Sequence, residues 1–268
     1  MRILAHISDL HFGTVIPEIA EGLRKKLEEL SPDIVVVSGD ITQRARSSQF
    51  KAAGKYLAQI PFPLLTVPGN HDIPLYNIGA RFFSPLTNYK KYITADLYPF
   101  FRDEKIAVQG ISTARSLAHA GGRISEIQME RVYQKMIRLP DSLIKILVTH
   151  HPFLAPPHQP GKKTVGRAAR ALQVLEACKP DILLAGHFHM SYSDQSHAAY
   201  TWPNRSVLVV QAGTALSSRT RNYEKNAFNL LRIAKNRIHI LVYAWKGREF
   251  TEENEKQYML KDKGWESV

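Results

Sequence analysis

The chain has 268 residues, of which 44% are hydrophobic and 22% are charged, a balance typical of globular proteins that excludes a disordered or fibrous chain. Thirty-six lysines and arginines against 24 aspartates and glutamates give a formal net charge of +12, which favours an anionic partner such as nucleic acid, a membrane surface or a phosphate-bearing small molecule. The single cysteine, Cys178, excludes an internal disulfide and fits a reducing compartment.

Short apolar runs alternate with helical patterns along much of the chain. The predicted elements are, in chain order, a strand from Ile3 to Ser8, a helix from Pro17 to Leu30, a strand from Ile34 to Val37, a helix from Phe50 to Ile60, a strand from Leu64 to Val67, a strand from Leu143 to Thr149, a helix from Val165 to Cys178 and a strand from Ile182 to Ala185. Strands and helices in this order predict parallel βαβ units. The strands are apolar almost throughout, which predicts sheets that are covered on both faces.

Residues 205–256 are expected to form mostly β-hairpins, with strands at Val207–Gln211, Phe228–Ala234 and Arg237–Trp245. Residues 73–96 are rich in Pro, Tyr and Phe and should cover the sheet edge as helical turns. No Ser/Gly-rich linker divides the chain, so we predict a single domain over residues 1–268. Its expected fold class is α/β, a four-layer α-β-β-α sandwich of two mixed β-sheets flanked by helices.

No apolar run approaches the roughly 18 residues that a membrane-spanning helix needs. The N-terminal apolar run, Met1–His6, is also too short for the core of a signal peptide. We therefore expect a cytoplasmic protein without a transmembrane segment.

Polar residues collect at the points where predicted strands end. Five strands in turn are followed by such a cluster: Asp9-Leu10-His11, Gly39-Asp40, Gly69-Asn70-His71-Asp72, His150-His151 and Gly186-His187-Phe188-His189. In open α/β sheets, ligands bind outside the carboxyl ends of the strands. If the five strands are parallel neighbours, all five clusters converge on one edge.

Each cluster alone has an ordinary structural explanation, such as a helix cap, a simple turn or a turn held by side-chain hydrogen bonds. Five in succession favour a metal site instead. The expected metal ligands are seven side chains: Asp9, His11, Asp40, Asn70, His150, His187 and His189. Carboxylate, amide and imidazole groups suit Mn, Fe or Zn. Seven exceed the needs of one ion, so we expect two divalent or trivalent ions with a bridging carboxylate and a bridging hydroxide that attacks phosphorus in line.

In their order along residues 3 to about 190, these clusters resemble the motifs of the calcineurin-like metallophosphoesterase superfamily. The motifs are Asp9-x-His11, Gly39-Asp40-x-x-Gln43-Arg44, Gly69-Asn70-His71-Asp72, His150-His151-Pro152 and Gly186-His187-x-His189. Within the superfamily, the chain is most similar to the bacterial class III cyclic nucleotide phosphodiesterases and their glycerophosphodiesterase relatives. A later segment from Gly213 to Asn226, which contains Arg219 and Arg221, resembles the same group.

The resemblance implies a division of the ligands: Asp9, His11 and His189 on one ion, Asn70, His150 and His187 on the other, and Asp40 between them. It also implies that His71 reaches the substrate phosphate without binding metal, which makes it the expected catalytic residue. The expected substrate-binding residues are Arg44, His151, Arg219 and Arg221. A structural ion pair is an alternative role for Arg44, and Asp72 can either orient His71 or cap the turn.

Leucine at position 10 departs from the purple acid phosphatases of the superfamily, so no tyrosinate ligand is expected. The oligomeric state stays open, with a dimer as one option. The expected function is hydrolysis of a small anionic phosphodiester such as a 3′,5′-cyclic nucleotide. The alternatives are a pyrophosphatase on a nucleotide-sugar lipid of the UDP-diacylglucosamine type, a broad phosphomonoesterase, or a basic nucleic-acid-binding protein with a vestigial site, although no clear nucleic-acid-binding motif is present.

Overall fold

Two mixed β-sheets form the centre of the fold in the computed structural model, which describes residues 1–118, 121–196, 206–221 and 224–268. The strands are β1 (Arg2–Ile7), β2 (Ile34–Val37), β3 (Leu64–Thr66), β4 (Phe100–Arg102), β5 (Ile106–Gly110), β6 (Ile144–Val148), β7 (Ile182–Ala185), β8 (Tyr192–Gln195), β9 (Leu208–Gln211), β10 (Ala227–Ala234), β11 (Arg237–Trp245), β12 (Phe250–Lys261) and β13 (Gly264–Ser267). The helices are α1 (Pro17–Leu30), α2 (Ser47–Leu57), α3 (Ile78–Phe83), α4 (Thr87–Tyr92), α5 (Glu126–Met136) and α6 (Ala168–Glu176), and a 3₁₀ turn covers Asn70–Asp72.

The first sheet has the strand order β13-β12-β11-β10-β1-β2-β3, and the second has the order β4-β5-β6-β7-β9-β8. Each sheet has a parallel part, made by β1, β2 and β3 in the first and by β5, β6, β7 and β9 in the second. Antiparallel strands extend both sheets away from these parts. Both sheets are therefore mixed, as the sequence predicted.

Alternation along the strands explains why their sequences are apolar throughout. In β2, Ile34 and Val36 pack between the two sheets, whereas Val35 and Val37 face the helices on the outer side. Successive side chains of a strand point to opposite faces, so a strand covered on both faces needs apolar residues at every position.

The helices complete the four layers. The outer face of the first sheet packs against α1 and α2, for instance through Leu23 and Phe50. The outer face of the second sheet packs against α5 and α6, for instance through Val132 and Leu172. The predicted four-layer α-β-β-α sandwich is therefore confirmed.

Several elements differ from the expected ones. Val207–Gln211 was expected to belong with the hairpins, but β9 (Leu208–Gln211) lies in the second sheet, parallel to β7. The hairpin strands β10, β11 and β12 extend the first sheet. The separation of β9 from them was not predicted, because strand pairing depends on contacts distant in sequence. Residues 205, 222 and 223 of the expected hairpin region lie outside the described residues. Among the helices of the described chain, none is long and apolar enough to cross a membrane.

Candidate metal centre

The five polar clusters meet at one place, where the carboxyl ends of strands from both sheets come together. Asp9 follows β1 and its backbone N–H donates to the carbonyl of Gly39, 3.0 Å away, at the end of β2. His187 follows β7 in the other sheet, and its backbone N–H donates to Oδ2 of Asp9 at 3.0 Å. The five strands were expected to be neighbours in one sheet, which is wrong. Three of them lie in the first sheet and two in the second, and the two stacked sheets present their carboxyl ends at the same edge.

Left-handed backbone conformations are concentrated at this edge. The expected ligands with positive φ are Asp9 (53°), His11 (46°), Asp40 (49°), His187 (73°) and His189 (58°). Only four other non-glycine residues in the described ranges share this conformation, which is uncommon for L-residues. Such strain persists where the surrounding structure holds it, and it is frequent at functional sites.

Two glycines allow the approach of the clusters. A Cβ on Gly186 would lie 2.6 Å from Oδ2 of Asp9 and 1.9 Å from Oγ of Ser8. Gly39 has φ +96°, and a Cβ there would lie 2.7 Å from the ring of His150. Any larger residue at either position would push an expected ligand out of place.

The side chains form overlapping groups that could each hold an ion. The groups whose ligand atoms lie within 4.8 Å of one another are Asp9, His11 and His189; Asp9, Asp40 and His150; and His150, His151 and His187. Oδ2 of Asp40 lies 3.3 Å from Nε2 of His150 and 3.9 Å from Nε2 of His11. Asp40 thus faces both ends of the cluster.

Hydrogen bonds behind the site orient two of the imidazoles. Nδ1 of His150 lies 2.8 Å from the carbonyl oxygen of Ser38. A carbonyl only accepts, so this nitrogen carries the hydrogen and Nε2 is directed to the site. Nδ1 of His189 lies 2.7 Å from the hydroxyl of Thr214, which donates in turn to the carbonyl of Arg219. Such outer partners commonly position metal-binding histidines.

The residues present fit a metal centre, because several of their buried polar atoms have no hydrogen-bond partner among the residues that the structure describes. Atoms of the expected ligands without a hydrogen bond include Oδ1 of Asp9, both ring nitrogens of His11, Oδ1 of Asn70 and Nε2 of His150. Buried polar atoms normally have partners, and a concentration of carboxylate, amide and imidazole atoms without them suits bound cations.

The pKa shifts of the clustered side chains without metal also fit a cation site. Burial would raise the pKa of the Asp40 carboxyl, but the neighbouring His150 outweighs this and holds that pKa well below its usual range. Burial opposes protonation of His150 as well, yet Asp40 raises the pKa of His150 to about 9. Burial lowers the pKa values of His11 and His187 to about 3. In the absence of metal, the proton on His150 therefore supplies the positive charge that stabilises the Asp40 carboxylate. A bound cation would replace this proton and release it.

His71 stands at the rim of the cluster. Its Nδ1 lies 3.0 Å from the carbonyl of Gln43, and its Nε2 lies 4.0 Å from Oδ2 of Asp40. Its side chain is 18% exposed, whereas those of His11 and His150 are fully buried. His71 is thus open to a molecule that enters the site.

Asp72 holds the loops that carry Asp40 and His71. Its carboxylate accepts the backbone N–H groups of Ile41, Thr42 and Gly69 at 2.8–3.1 Å, and also the hydroxyl of Thr42. No hydrogen bond to the ring of His71 is present. Of the two roles expected for Asp72, the structure therefore favours capping.

His151, one of the expected substrate-binding residues, is buried against the metal cluster. Its ring is 1% exposed and its Nδ1 lies 2.8 Å from the hydroxyl of Thr113. Its Nε2 has no hydrogen-bond partner. Thr113 and Thr214 are orienting residues that the motif analysis did not single out; Thr214 lies in the noted Gly213–Asn226 segment, whereas nothing in the sequence around Thr113 marked it.

Of the three expected substrate-binding arginines, Arg219 is affected by the charges of the other two and of the metal-centre carboxylates. Burial and the adjacent Arg221 lower the pKa of Arg219, with a further contribution from Arg44, while Asp40 and Asp9 act in the opposite direction. Arg219 is thus near enough to Arg44, to Arg221 and to the two carboxylates to be influenced by their charges. The ion pair considered for Arg44 is not seen in the described part of the chain; its guanidinium lies 5.9 Å from the ring centre of Tyr76 instead.

Comparisons with known proteins agree with this architecture. The family model described as calcineurin-like phosphoesterase matches residues 2–191. The glycerophosphodiester phosphodiesterase GpdQ of Enterobacter lignolyticus is 37% identical over 87 residues, covering 26% of this chain and 29% of that protein. The 3′,5′-cyclic adenosine monophosphate phosphodiesterase CpdA of Escherichia coli is 24% identical over 173 residues, covering 64% of this chain and 58% of that protein. The match thus spans less than two thirds of either relative.

Solved structures share the fold. The purple acid phosphatase PPD1 from yellow lupin has a TM-score of 0.66 at 14% identity, over 94% of this chain and 52% of that one. A dimetal phosphatase from Danio rerio has a TM-score of 0.63 at 13% identity, over 94% of this chain and 98% of that one. At these identities, the likeness concerns the fold alone.

Proposed function

The chain belongs to the calcineurin-like phosphoesterase family, and on that premise we propose that it hydrolyses small phosphodiesters with the help of two bound metal ions. The observation that carries the proposal is the group of buried carboxylate, amide and imidazole atoms without partners at the shared sheet edge. Buried atoms of these types are costly unless they bind something, and a pair of cations would satisfy them.

We assign the ligands as the family resemblance implies. Asp9, His11 and His189 would hold one ion, which is supported by their mutual proximity. Asn70, His150 and His187 would hold the other, with Asp40 between the two. The ring of His151 lies within ligand distance of those of His150 and His187, so it could replace one of them on this ion. When bound, two such ions withdraw charge from a phosphoryl group and lower the pKa of water.

His71 is the proposed catalytic residue. Its Nδ1–H donates to the carbonyl of Gln43, which fixes the ring and leaves Nε2 facing the site. A proton on Nε2 would be donated to a phosphate oxygen, or to the alkoxide that leaves as the ester bond breaks. Its partial exposure is what such contact with substrate requires.

The substrate that we favour is a small diester such as a 3′,5′-cyclic nucleotide. Support comes from the two relatives GpdQ and CpdA, which are phosphodiesterases. We assign Arg219 and Arg221 to the reacting phosphate of this substrate, since Arg219 is close enough to Arg221 and to the carboxylates of Asp40 and Asp9 for their charges to affect it. Positive charge at the entrance would also raise the local concentration of an anionic substrate.

The decisive experiment is metal reconstitution followed by a substrate panel. Protein stripped with a chelator would be loaded with Mn²⁺, Fe²⁺ or Zn²⁺ and assayed with cyclic AMP, bis-p-nitrophenyl phosphate and p-nitrophenyl phosphate. We expect hydrolysis of both diesters that depends on the metal. Turnover of the monoester alone, or turnover that survives complete metal removal, would contradict the proposal. A nucleic-acid-binding protein would instead show affinity that falls steeply with salt.

One observation favours a second candidate function, hydrolysis of the pyrophosphate bond in a nucleotide-sugar lipid. Apolar side chains of the segment beside the site are exposed to solvent: Tyr76 by 75%, Ile78 by 70%, Phe82 by 49% and Phe83 by 92%. Exposed apolar surface of this kind can mark contact with a lipid or another protein. A UDP-diacylglucosamine arm in the same panel tests it, with faster turnover of that lipid than of cyclic AMP as the supporting result.

A further inference from the structure

A small cavity adjoins the metal centre on the side of His71. Its volume is about 140 Å³, and its walls are formed by Gln43, Arg44, Asn70, His71, Ile73, Leu75 and Arg81. One water occupies about 30 Å³, so the cavity has room for a group of the size of a phosphate. Two cationic side chains and two residues of the catalytic site line the same space.

Arg81 is the unusual residue of this cavity. It is only 9% exposed, and its guanidinium donates to the carbonyls of Pro74 and Ala118 at 3.0 and 3.2 Å. Across the residues that the structure describes, no carboxylate pairs with it. A buried charge without an opposite charge is costly, and two backbone carbonyls supply no negative charge to balance it.

Arg44 supplies a second cation to the same cavity. Its backbone N–H is held by the side chain of Gln49 at 2.9 Å, which anchors the residue beside the site. Within the described residues, the one hydrogen bond of its guanidinium is a long one of 3.5 Å to the carbonyl of Gln43. The planar fork of a guanidinium matches the oxygens of a phosphate in a bidentate way, and two arginines that line one cavity supply the charge and the donors that a phosphate needs.

We infer that this cavity binds a second phosphate group of the substrate. The inference rests on the proposed function, which places the reacting phosphate at the metal ligands. Because the assigned ligand Asn70 and the catalytic residue His71 both line the cavity, a phosphate bound there would be about one side chain away from the reacting phosphate. Two phosphates on one sugar ring have such a separation, so the substrate class is a phosphodiester of a nucleoside or sugar that carries a further phosphate.

The test uses a matched pair of chromogenic diesters, thymidine 5′-(p-nitrophenyl phosphate) and the same compound with a 3′-phosphate. For the metal-loaded enzyme we expect kcat/KM to be about ten- to a hundredfold higher with the 3′-phosphate, the scale of one or two charge-assisted hydrogen bonds. Arg81→Gln and Arg44→Gln should each remove most of this preference. Arg81→Lys keeps the positive charge but loses the planar guanidinium, so it should keep part of the preference for the 3′-phosphate. Arg102→Gln, at an exposed position, is the matched control.

Calorimetry with thymidine 3′,5′-bisphosphate and thymidine 5′-monophosphate gives a readout independent of turnover, and thermal unfolding shows whether each variant folds. If Arg81→Gln does not fold, Arg44→Gln decides. Equal kcat/KM for the two diesters in the unmodified protein, or an equal loss on both in the variants, would overturn the second-phosphate site. Failure of the proposed function looks different, because bis-p-nitrophenyl phosphate would then not be hydrolysed with any metal.

Discussion

Gly186 is the position at which one added methyl group should damage the metal centre most directly. In Gly186→Ala the new Cβ would lie 2.6 Å from Oδ2 of Asp9, about 0.8 Å short of the 3.4 Å at which ordinary contact begins. It would also overlap the side chain of Ser8, whose Oγ lies 1.9 Å away. Ser8 can rotate, but Asp9 can yield only by moving its carboxylate, which accepts the N–H of His187.

A shift of this size exceeds the roughly 0.5 Å within which a functional group must be held. We therefore expect the variant to bind metal about 10- to 100-fold more weakly, the usual scale for displaced metal-site geometry. We expect the metal-free protein to lose about 1–3 kcal/mol of unfolding free energy, the usual cost of overpacking.

Metal affinity would be measured by calorimetry and stability by urea unfolding of chelator-treated protein. Gly161→Ala is the matched control, because a Cβ there would meet no atom within 4 Å. The double variant Gly186→Ala with Ser8→Ala removes the overlap with Oγ of Ser8 but keeps Oδ2 of Asp9 at 2.6 Å and Cβ of residue 8 at 2.9 Å from the new methyl group. It should therefore recover part of the stability but little of the metal affinity. If Gly186→Ala binds two ions as tightly as the control, Asp9 is not a ligand in the position described.

Three further outcomes are expected. Asp40→Ala should lose both ions and nearly all turnover, since this carboxylate faces both ends of the cluster; retention of two ions by metal analysis would contradict that. His71→Ala should keep both ions while kcat falls about 10²–10⁴-fold, and loss of metal would rule out the role given to it. Burial lowers the pKa of His6 to about 3, so below pH 6.5 the unfolded chain takes up a proton that the folded one refuses. Through His6 alone, the unfolding free energy of the metal-free protein should fall by about 1.4 kcal/mol for each unit by which the pH decreases below 6.5. The unfolding free energy of His6→Gln lacks this contribution and should fall less steeply by that amount; parallel pH profiles would contradict the assignment.

Elements with strong local signals were well predicted. The bounds of α1, from Pro17 to Leu30, and of β2, from Ile34 to Val37, agree with the prediction, because a proline in the first turn and an unbroken β-branched run act locally. The strand Ile106–Gly110 and the helix Glu126–Met136 were missed. The helix had a usable signal, since Ser125 and Gln128 form a capping box at its start.

The pairing of strands was harder to predict than their existence. The run at Val207–Gln211 was recognised as a strand, yet its partners are β7 and β8 rather than the hairpin strands that follow it. A strand's apolar pattern shows how it is buried but not which neighbour supplies its hydrogen bonds. The apolar exposure of the segment at residues 73–96 was likewise not predicted, because exposure depends on what the rest of the chain covers.

The positive charge of the chain and the order of its polar clusters were enough to indicate a phosphoester-directed metal site, because ligand chemistry belongs to individual side chains and survives without coordinates. Only the tertiary structure decided how those side chains meet. Asp9 and His187 come from different sheets and are 178 residues apart, yet are joined by one hydrogen bond. The same packing brings Arg81, which no motif contained, to a cavity beside His71. Burial and proximity arise when distant segments pack together, and no local pattern encodes them.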